Sequence, residues 1–265
     1  MSHKSGGYAS DLNDAQWAII APLLKRTGSG RPMQLELRAV VNAIFYVLRT
    51  GCAWAYLPKE YPNYNSVYYH YHKWCWEDTW EHINTALREQ FRQQTKRKAQ
   101  PSAAIIDSQS VKTTQVGGER GFDGGKKVNG RKRHILVDTL GNILQAIVHA
   151  ANIQDREGAK LLLEAMPAPL WTRLKRIWAD AGYTGDLAQW ITANFPKVVL
   201  EIVNRPEGTK GFVLLPRRWV VERTFAWLGL YRRLSKDYEK LVENSVGMIY
   251  LASIHRLLTR LTLTT

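Results

Sequence analysis

Apolar residues recur at helical spacing through the first third of the chain. Asn13 and Gln16 form a capping-box pattern ahead of WAIIAPLL, which Pro22 interrupts. GSGRP at 28–32 reads as a turn. Between Leu35 and Thr50 the polar residues Arg38, Asn42, Tyr46 and Arg49 form one stripe among apolar neighbours, which predicts a mostly buried helix stopped by Gly51. A short helical turn precedes Pro58. A helix capped by Asn65 or Ser66 runs to about Trp76, and another covers Thr79 to Gln94. Consecutive short helices with tight turns suit a helix-turn-helix, with 66–76 as its recognition helix, and equally an ordinary helical bundle.

The polar stretch QTKRKAQPS at 94–102 reads as a linker, and the period changes after it. Ala103–Ile106 is a short strand ending in Asp107. A Gly-rich basic loop, QVGGERGFDGGKKVNGRKR, leads to two strand-like runs, HILVDT and NILQAIVHAA. Asp155 caps a helix ended by Pro167, and RIWAD is a strand ending in Asp180. A helix over Leu187–Asn194, a strand at 198–203, and helices over about Arg217–Leu230 and Ser245–Leu261 complete the order. Three leading strands followed by alternating helices and strands predict an α/β fold with a ribonuclease H-like mixed sheet. The expected division is an all-helical, helix-turn-helix-like module at 1–98 and a catalytic domain at 99–265.

Composition narrows the partners. Over 265 residues, 37 Lys and Arg face 23 Asp and Glu, a formal charge of +14, which favours a polyanion. The excess is concentrated: seven basic and two acidic residues from Lys112 to Arg133, and six basic residues with one acid, Glu222, from Arg217 to Lys236. No apolar run approaches the ~18 residues of a membrane span. MSHKSGGYAS lacks the apolar core of a secretory signal. Two cysteines, Cys52 and Cys75, exclude a disulfide framework and suit a cytoplasmic setting. Ten of 28 aromatic residues fall between Trp54 and Trp80 and read mainly as core. The spacing of His70, His72 and Cys75 matches no zinc-ligand pattern.

Asp107 and Asp180 close apolar strands, where open α/β sheets place ligands, and Glu222 is the lone acid on a basic helix. Three such carboxylates suit a pair of magnesium ions, which are hard and take oxygen ligands. Two ions ~3.5–4 Å apart serve in-line phosphoryl displacement. Bland readings stand beside this one: Asp107 and Asp180 as turn caps, and Glu222 paired with Arg218 one turn earlier. Asp123, Asp138 and Asp186 compete for the same role without closing a clear central strand.

The segments IIDSQSVKTT, GRKRHILVDTLGNIL, WADAGYTGD and RRWVVERTFAWLGLYRRLSKDYE resemble the DDE transposases of bacterial insertion sequences, of the IS-five family. LNDAQWAIIAPLL and CAWAYLPKEYPNYNSVYYHYHKW resemble the N-terminal module of those proteins. The resemblance implies Asp107, Asp180 and Glu222 as the metal-binding triad, with two Mg2+ ions that Mn2+ can replace. It also implies binding to terminal inverted repeats, cleavage at the element's ends, and joining to target DNA by the freed 3′ hydroxyl. A homodimer or larger assembly on DNA, in the bacterial cytoplasm at the nucleoid, goes with that activity. Arg218, Arg232, Arg233, Lys126, Lys127, Arg131, Lys132 and Arg133 are the expected phosphate contacts. One departure matters: the wider group's signature has a Tyr where Leu215 stands and a Lys where Gly229 stands. Arg233, one turn beyond Gly229 on the same expected helix face, is the candidate substitute. A purely hydrolytic nuclease and an inactive DNA-binding descendant are the rival readings.

Overall fold

The computed structural model describes residues 7–24, 35–204 and 217–263. The turn expected at 28–32 and the Leu215 position lie outside them. Among the described residues, four α-helices come first: α1 (Asp14–Ile20), α2 (Leu37–Thr50), α3 (Tyr64–Trp76) and α4 (Thr79–Gln94). Their ends follow local chemistry. Asn13 and Gln16 make both bonds of the capping box at α1, and Gly51 closes α2 at φ 70°. The cap of α3 is Asn63, whose side chain accepts from the Asn65 N–H, two residues earlier than the sequence suggests.

A six-stranded sheet follows, with β1 (Ala103–Lys112), β2 (Gly121–Asp123), β3 (Val128–Asp138), β4 (Ile143–Ala150), β5 (Arg176–Ala179) and β6 (Val199–Ile202). β1 pairs antiparallel with β3 on one side and parallel with β5 on the other, and β6 continues parallel beyond β5. β4 and β2 share the far side of β3. Setting β2 aside, the order β4-β3-β1-β5-β6 is the mixed arrangement of a ribonuclease H-like sheet. Helices α5 (Asp155–Glu164), α6 (Ala168–Trp171), α7 (Leu187–Asn194), α8 (Trp219–Leu228) and α9 (Val242–Leu263) complete the chain.

Strand alternation sorts two cores. Ala104, Ile106, Leu136, Ile177 and Ala179 face α5–α7. Ile105, Ile135, Val137 and Trp178 face the other way, in the core formed with α1–α4, α8 and α9. The last helix, α9, packs against α1–α4 as well as β4.

Three expectations need correction. β1 does not end at Asp107 but continues to Lys112, because β3 pairs with it from Gly130 to Asp138. The basic loop is partly strand: β2 lies within it, and Arg131, Lys132 and Arg133 are inside β3. α8 stops at Leu228, and Tyr231 turns extended, so Arg233 sits in a separate 3-10 turn at Arg232–Leu234 and not on the face of Glu222.

Candidate active site

Asp107 shares the face of Ile105, the side on which α8 packs. Asp180 follows the last residue of β5, the parallel neighbour of β1. Arg218 and Glu222 stand one helical turn apart at the start of α8. These four residues meet. The Arg218 Nη2 lies 3.7 Å from Asp107 Oδ2, 3.5 Å from Asp180 Oδ2 and 3.4 Å from Glu222 Oε1. The other carboxylate oxygens are anchored locally: Asp107 Oδ1 accepts from the Ser108 N–H at 2.7 Å, and Asp180 Oδ1 from the Gly182 N–H at 2.8 Å. Asp180 thus caps the turn after β5, whereas Asp107, inside β1, holds its neighbour's N–H and caps no turn. In each, one oxygen is fixed to backbone, and the other is turned to the common centre.

Burial pushes the Asp107 carboxyl up to about 6; the Ser108 N–H opposes this, the Asp180 charge adds to it, and Arg218 and Lys126 pull it back. Among the described residues no three acids, histidines or cysteines stand close enough to hold an ion directly. The guanidinium occupies the point on which the three carboxylates converge. The donor set itself, three carboxylates, is the hard-oxygen type that magnesium takes.

Beside this centre lies a carboxylate that the sequence presented only as a helix cap. Gln154 is the N-cap of α5, and Asp155 instead accepts from Ser108 Oγ at 2.9 Å and pairs with Lys132 Nζ at 3.0 Å. The Asp155 and Asp180 carboxylates both come near Gly182, where an added Cβ would stand 3.7 Å from Asp155 Oδ2 and 3.0 Å from Asp180 Oδ1. The three competing acids are occupied elsewhere. Asp138 binds Arg92 at 2.6 Å, Asp186 binds Lys160 at 2.9 Å, and Asp123 accepts from Ser110 Oγ and the Gly125 and Lys126 N–H groups.

The expected phosphate contacts divide by exposure. Lys126, Lys127 and Arg232 are exposed, and Arg218 is partly so. Arg131, Arg133, Lys132 and Arg233 are buried and committed to protein partners. Strand alternation sends Arg131 and Arg133 to one face. There Arg131 meets Asp237 at 3.3 Å and the Glu119, Glu239 and Lys240 carbonyls, and Arg133 donates to the Leu234 and Lys236 carbonyls. Arg233 pairs with Glu239 at 2.8 Å. These arginines clamp the segment after α8 to the sheet, with their donors turned inward to protein oxygens. Their acidic partners, Asp237 and Glu239, were visible in the sequence, but not the pairing.

A ribonuclease H-ordered sheet with carboxylates gathered where β1, β5 and α8 meet fits a DDE-type domain. The transposase DDE domain family matches residues 98–257, more than half of the chain, and a putative transposase family of the IS4/5 group matches residues 12–84. The chain belongs to the DDE transposases of the IS4/5 type. It is similar to the putative transposase for insertion sequence element IS402 of Burkholderia cepacia, at 34% identity over 118 residues, 42% of this chain and 54% of that protein. The matched region thus spans about half the length of that relative. Domains of this family depend on a divalent metal. No helix among the described residues is long and apolar enough to cross a membrane.

Proposed function

We propose that this chain is a DNA transposase that binds the terminal inverted repeats of an insertion sequence, cleaves strands at its ends and joins them to target DNA by metal-dependent phosphoryl transfer. The observation that carries the reading is the convergence of Asp107, Asp180 and Glu222 on one point of a ribonuclease H-like sheet. In this reading the three carboxylates hold Mg2+, two ions with Mn2+ as a substitute. When bound, the ions activate the attacking oxygen and stabilise the leaving one. Asp107 and Asp180 keep one oxygen on the backbone and present the other to the cation. Arg218 leaves the carboxylates for a phosphate of the DNA strand, a partner that matches its fork of donors. Lys126 and Lys127, exposed on the turn between β2 and β3, meet neighbouring phosphates, and Arg232 extends the same role.

The N-terminal helices act as the DNA-binding module, with 66–76 as the recognition helix. Within it Val67, Tyr71, Trp74 and Cys75 pack inward, while Tyr69 and Trp76 are exposed. Two ends cut together call for a homodimer or larger assembly, at work on the nucleoid in the cytoplasm. Asp107→Asn, Asp180→Asn and Glu222→Gln are each expected to abolish magnesium-dependent cleavage of a duplex carrying the element's end, with the fold intact by circular dichroism. Pre-cut ends are expected to be joined to target DNA by the unaltered chain. Full cleavage by Asp107→Asn overturns the triad, and hydrolysis without joined product makes the chain a nuclease.

A further inference from the structure

Away from the carboxylates, α8 turns a second stripe toward α9. Trp219, Arg223 and Trp227 follow one another at intervals of four residues, on one face of the helix. The Arg223 guanidinium lies 4.3 Å from the Trp219 ring centre and 4.4 Å from that of Trp227. Arg256 of α9 covers the Trp227 ring at 3.9 Å, and Arg260 covers Phe91 at 4.2 Å. These arginines line a cleft of about 410 Å3 with Thr139 and Leu140, and no carboxylate among the described residues lines it.

The cleft is a poor structural ion-pair site. Arg223 Nε and Arg256 Nη1 are buried without a hydrogen-bond partner among the described residues. The nearest acid, Asp138, is already taken by Arg92, by Asn142 Nδ2 and by the Leu140 and Asn142 N–H groups. Burial first, and then the charge of Arg260, hold Arg223 and Arg256 below the usual guanidinium range. Gathering like charges in a half-buried cleft costs stability unless an anion offsets them. Across Thr139 the basic surface continues into a second hollow of about 280 Å3, lined by Arg92, Lys96, Arg97, Lys98 and Arg173 among others. Thr139 follows Asp138, the partner of Ala104 in β1, whereas Asp107 pairs with Ile135. At about 3.3 Å per strand residue, Thr139, four positions beyond Ile135, stands roughly 13 Å from Asp107 along the strand. Phosphates of one strand recur about every 3.4 Å of duplex axis, so that distance spans about four of them.

We infer that the Arg223–Arg256–Arg260 cleft and the adjoining Arg97–Lys98 surface form a phosphate track that holds the DNA strand leading away from the Asp107–Asp180–Glu222 centre. The indoles and the Leu140 and Gly141 carbonyls hold the Arg223 and Arg256 guanidiniums in place, and the positive charge they bring to the cleft attracts a phosphate. The inference rests on the DNA-processing reading, and one experiment separates the two. A fluorescein-labelled 30-base-pair duplex of arbitrary sequence is titrated, without divalent metal, against the full chain over a range of salt concentrations. Arg97→Gln/Lys98→Gln and Arg260→Gln are expected to weaken binding several-fold and to lower the slope of log affinity against log salt by about 0.9 per phosphate contact removed. Arg223→Gln is expected to do the same if its melting temperature shows it folded. The exposed Arg97–Lys98 pair decides the matter where Arg223→Gln does not fold. Unchanged affinity and slope in the folded variants overturn the track and leave the transposase reading standing. Failure of the unaltered chain to bind the duplex overturns the DNA-processing reading itself.

Discussion

Arg131 separates two uses of a basic residue, and its replacement measures which one this fold makes. Its side chain is wholly buried. Its Nε donates to the Glu119 carbonyl at 2.7 Å, Nη1 to the Glu239 carbonyl at 2.8 Å and Ser245 Oγ at 3.0 Å, and Nη2 to the Lys240 carbonyl at 2.8 Å. Asp237, equally enclosed, depends on it for a counter-charge at 3.3 Å. In Arg131→Gln, an amide replaces only part of this set, and Asp237 is left as a buried, unpaired carboxylate. Breaking one side of a buried pair costs about 3–5 kcal/mol. That is a large share of the roughly 5–15 kcal/mol that holds most domains folded. Urea unfolding followed by tryptophan fluorescence is expected to show a loss of about 4 kcal/mol as a fall in midpoint with the slope preserved. Duplex binding by the folded fraction is expected to keep its salt dependence. A loss below about 1 kcal/mol, together with a salt slope reduced by about 0.9, refutes the clamp and makes Arg131 a phosphate contact.

Burial raises the Glu81 carboxyl to about 7, with the Asp78 charge adding to it. A folded pKa above the unfolded value near 4.5 means that this contribution is fully present below pH 4.5 and lost as pH rises through 7. Glu81→Gln mimics the protonated form and is expected to be more stable than the parent by about 3 kcal/mol at pH 8 and equal to it near pH 4.5; equal stability at both pH values rejects the assignment. Gly158 of α5 lies over the hydrogen-bonded His134–His149 pair, and an added Cβ would stand 2.4 Å from His134 Cε1 and 2.5 Å from His149 Nε2. Gly158→Ala, which ordinarily steadies a helix, is expected here to lower stability by about 1–3 kcal/mol in thermal melts; a gain shows that the histidines yield. Arg88 is fully enclosed on α4, and its three guanidinium nitrogens have no hydrogen-bond partner among the described residues. Arg88→Met is expected to stabilise the chain by about 1–4 kcal/mol in chemical denaturation; destabilisation shows that the pairing with Glu89 at 3.6 Å outweighs desolvation.

What could be read from the sequence is what neighbouring residues decide. The spans of α4 and α7, the capping box at Asn13 and the stop at Gly51 depend on period and caps within a few positions. Asp107, Asp180 and Glu222 stood out for a similar reason, as acids at strand ends or alone on a basic helix. The residues misjudged are those whose partners are remote. Ser108–Lys112 becomes strand only because Gly130–His134 pairs with it. Arg131 and Arg133 read as solvent-facing until the segment around Asp237 folds over them. Asp155 had the position of a cap, yet Lys132 and Ser108 draw its carboxylate away. Arg233 looked continuous with α8, but the helix ends one turn earlier and Glu239 takes the side chain.

The placing of α9 sets an order on the birth of this fold. Ser253 and Asn244 of α9 bond Asn84 and His72 across the interior, and Ile249, Leu251 and Leu258 share a core with Ile44, Leu48 and Leu87. A ribosome delivers the N-terminal helices first. Their apolar faces therefore wait, uncovered, while about 150 further residues are made at 5–20 per second, a delay of roughly 10–30 s. Newly made chains need shielding over that interval. A product terminated before residue 242 lacks the helix that completes the interior of its own first hundred residues.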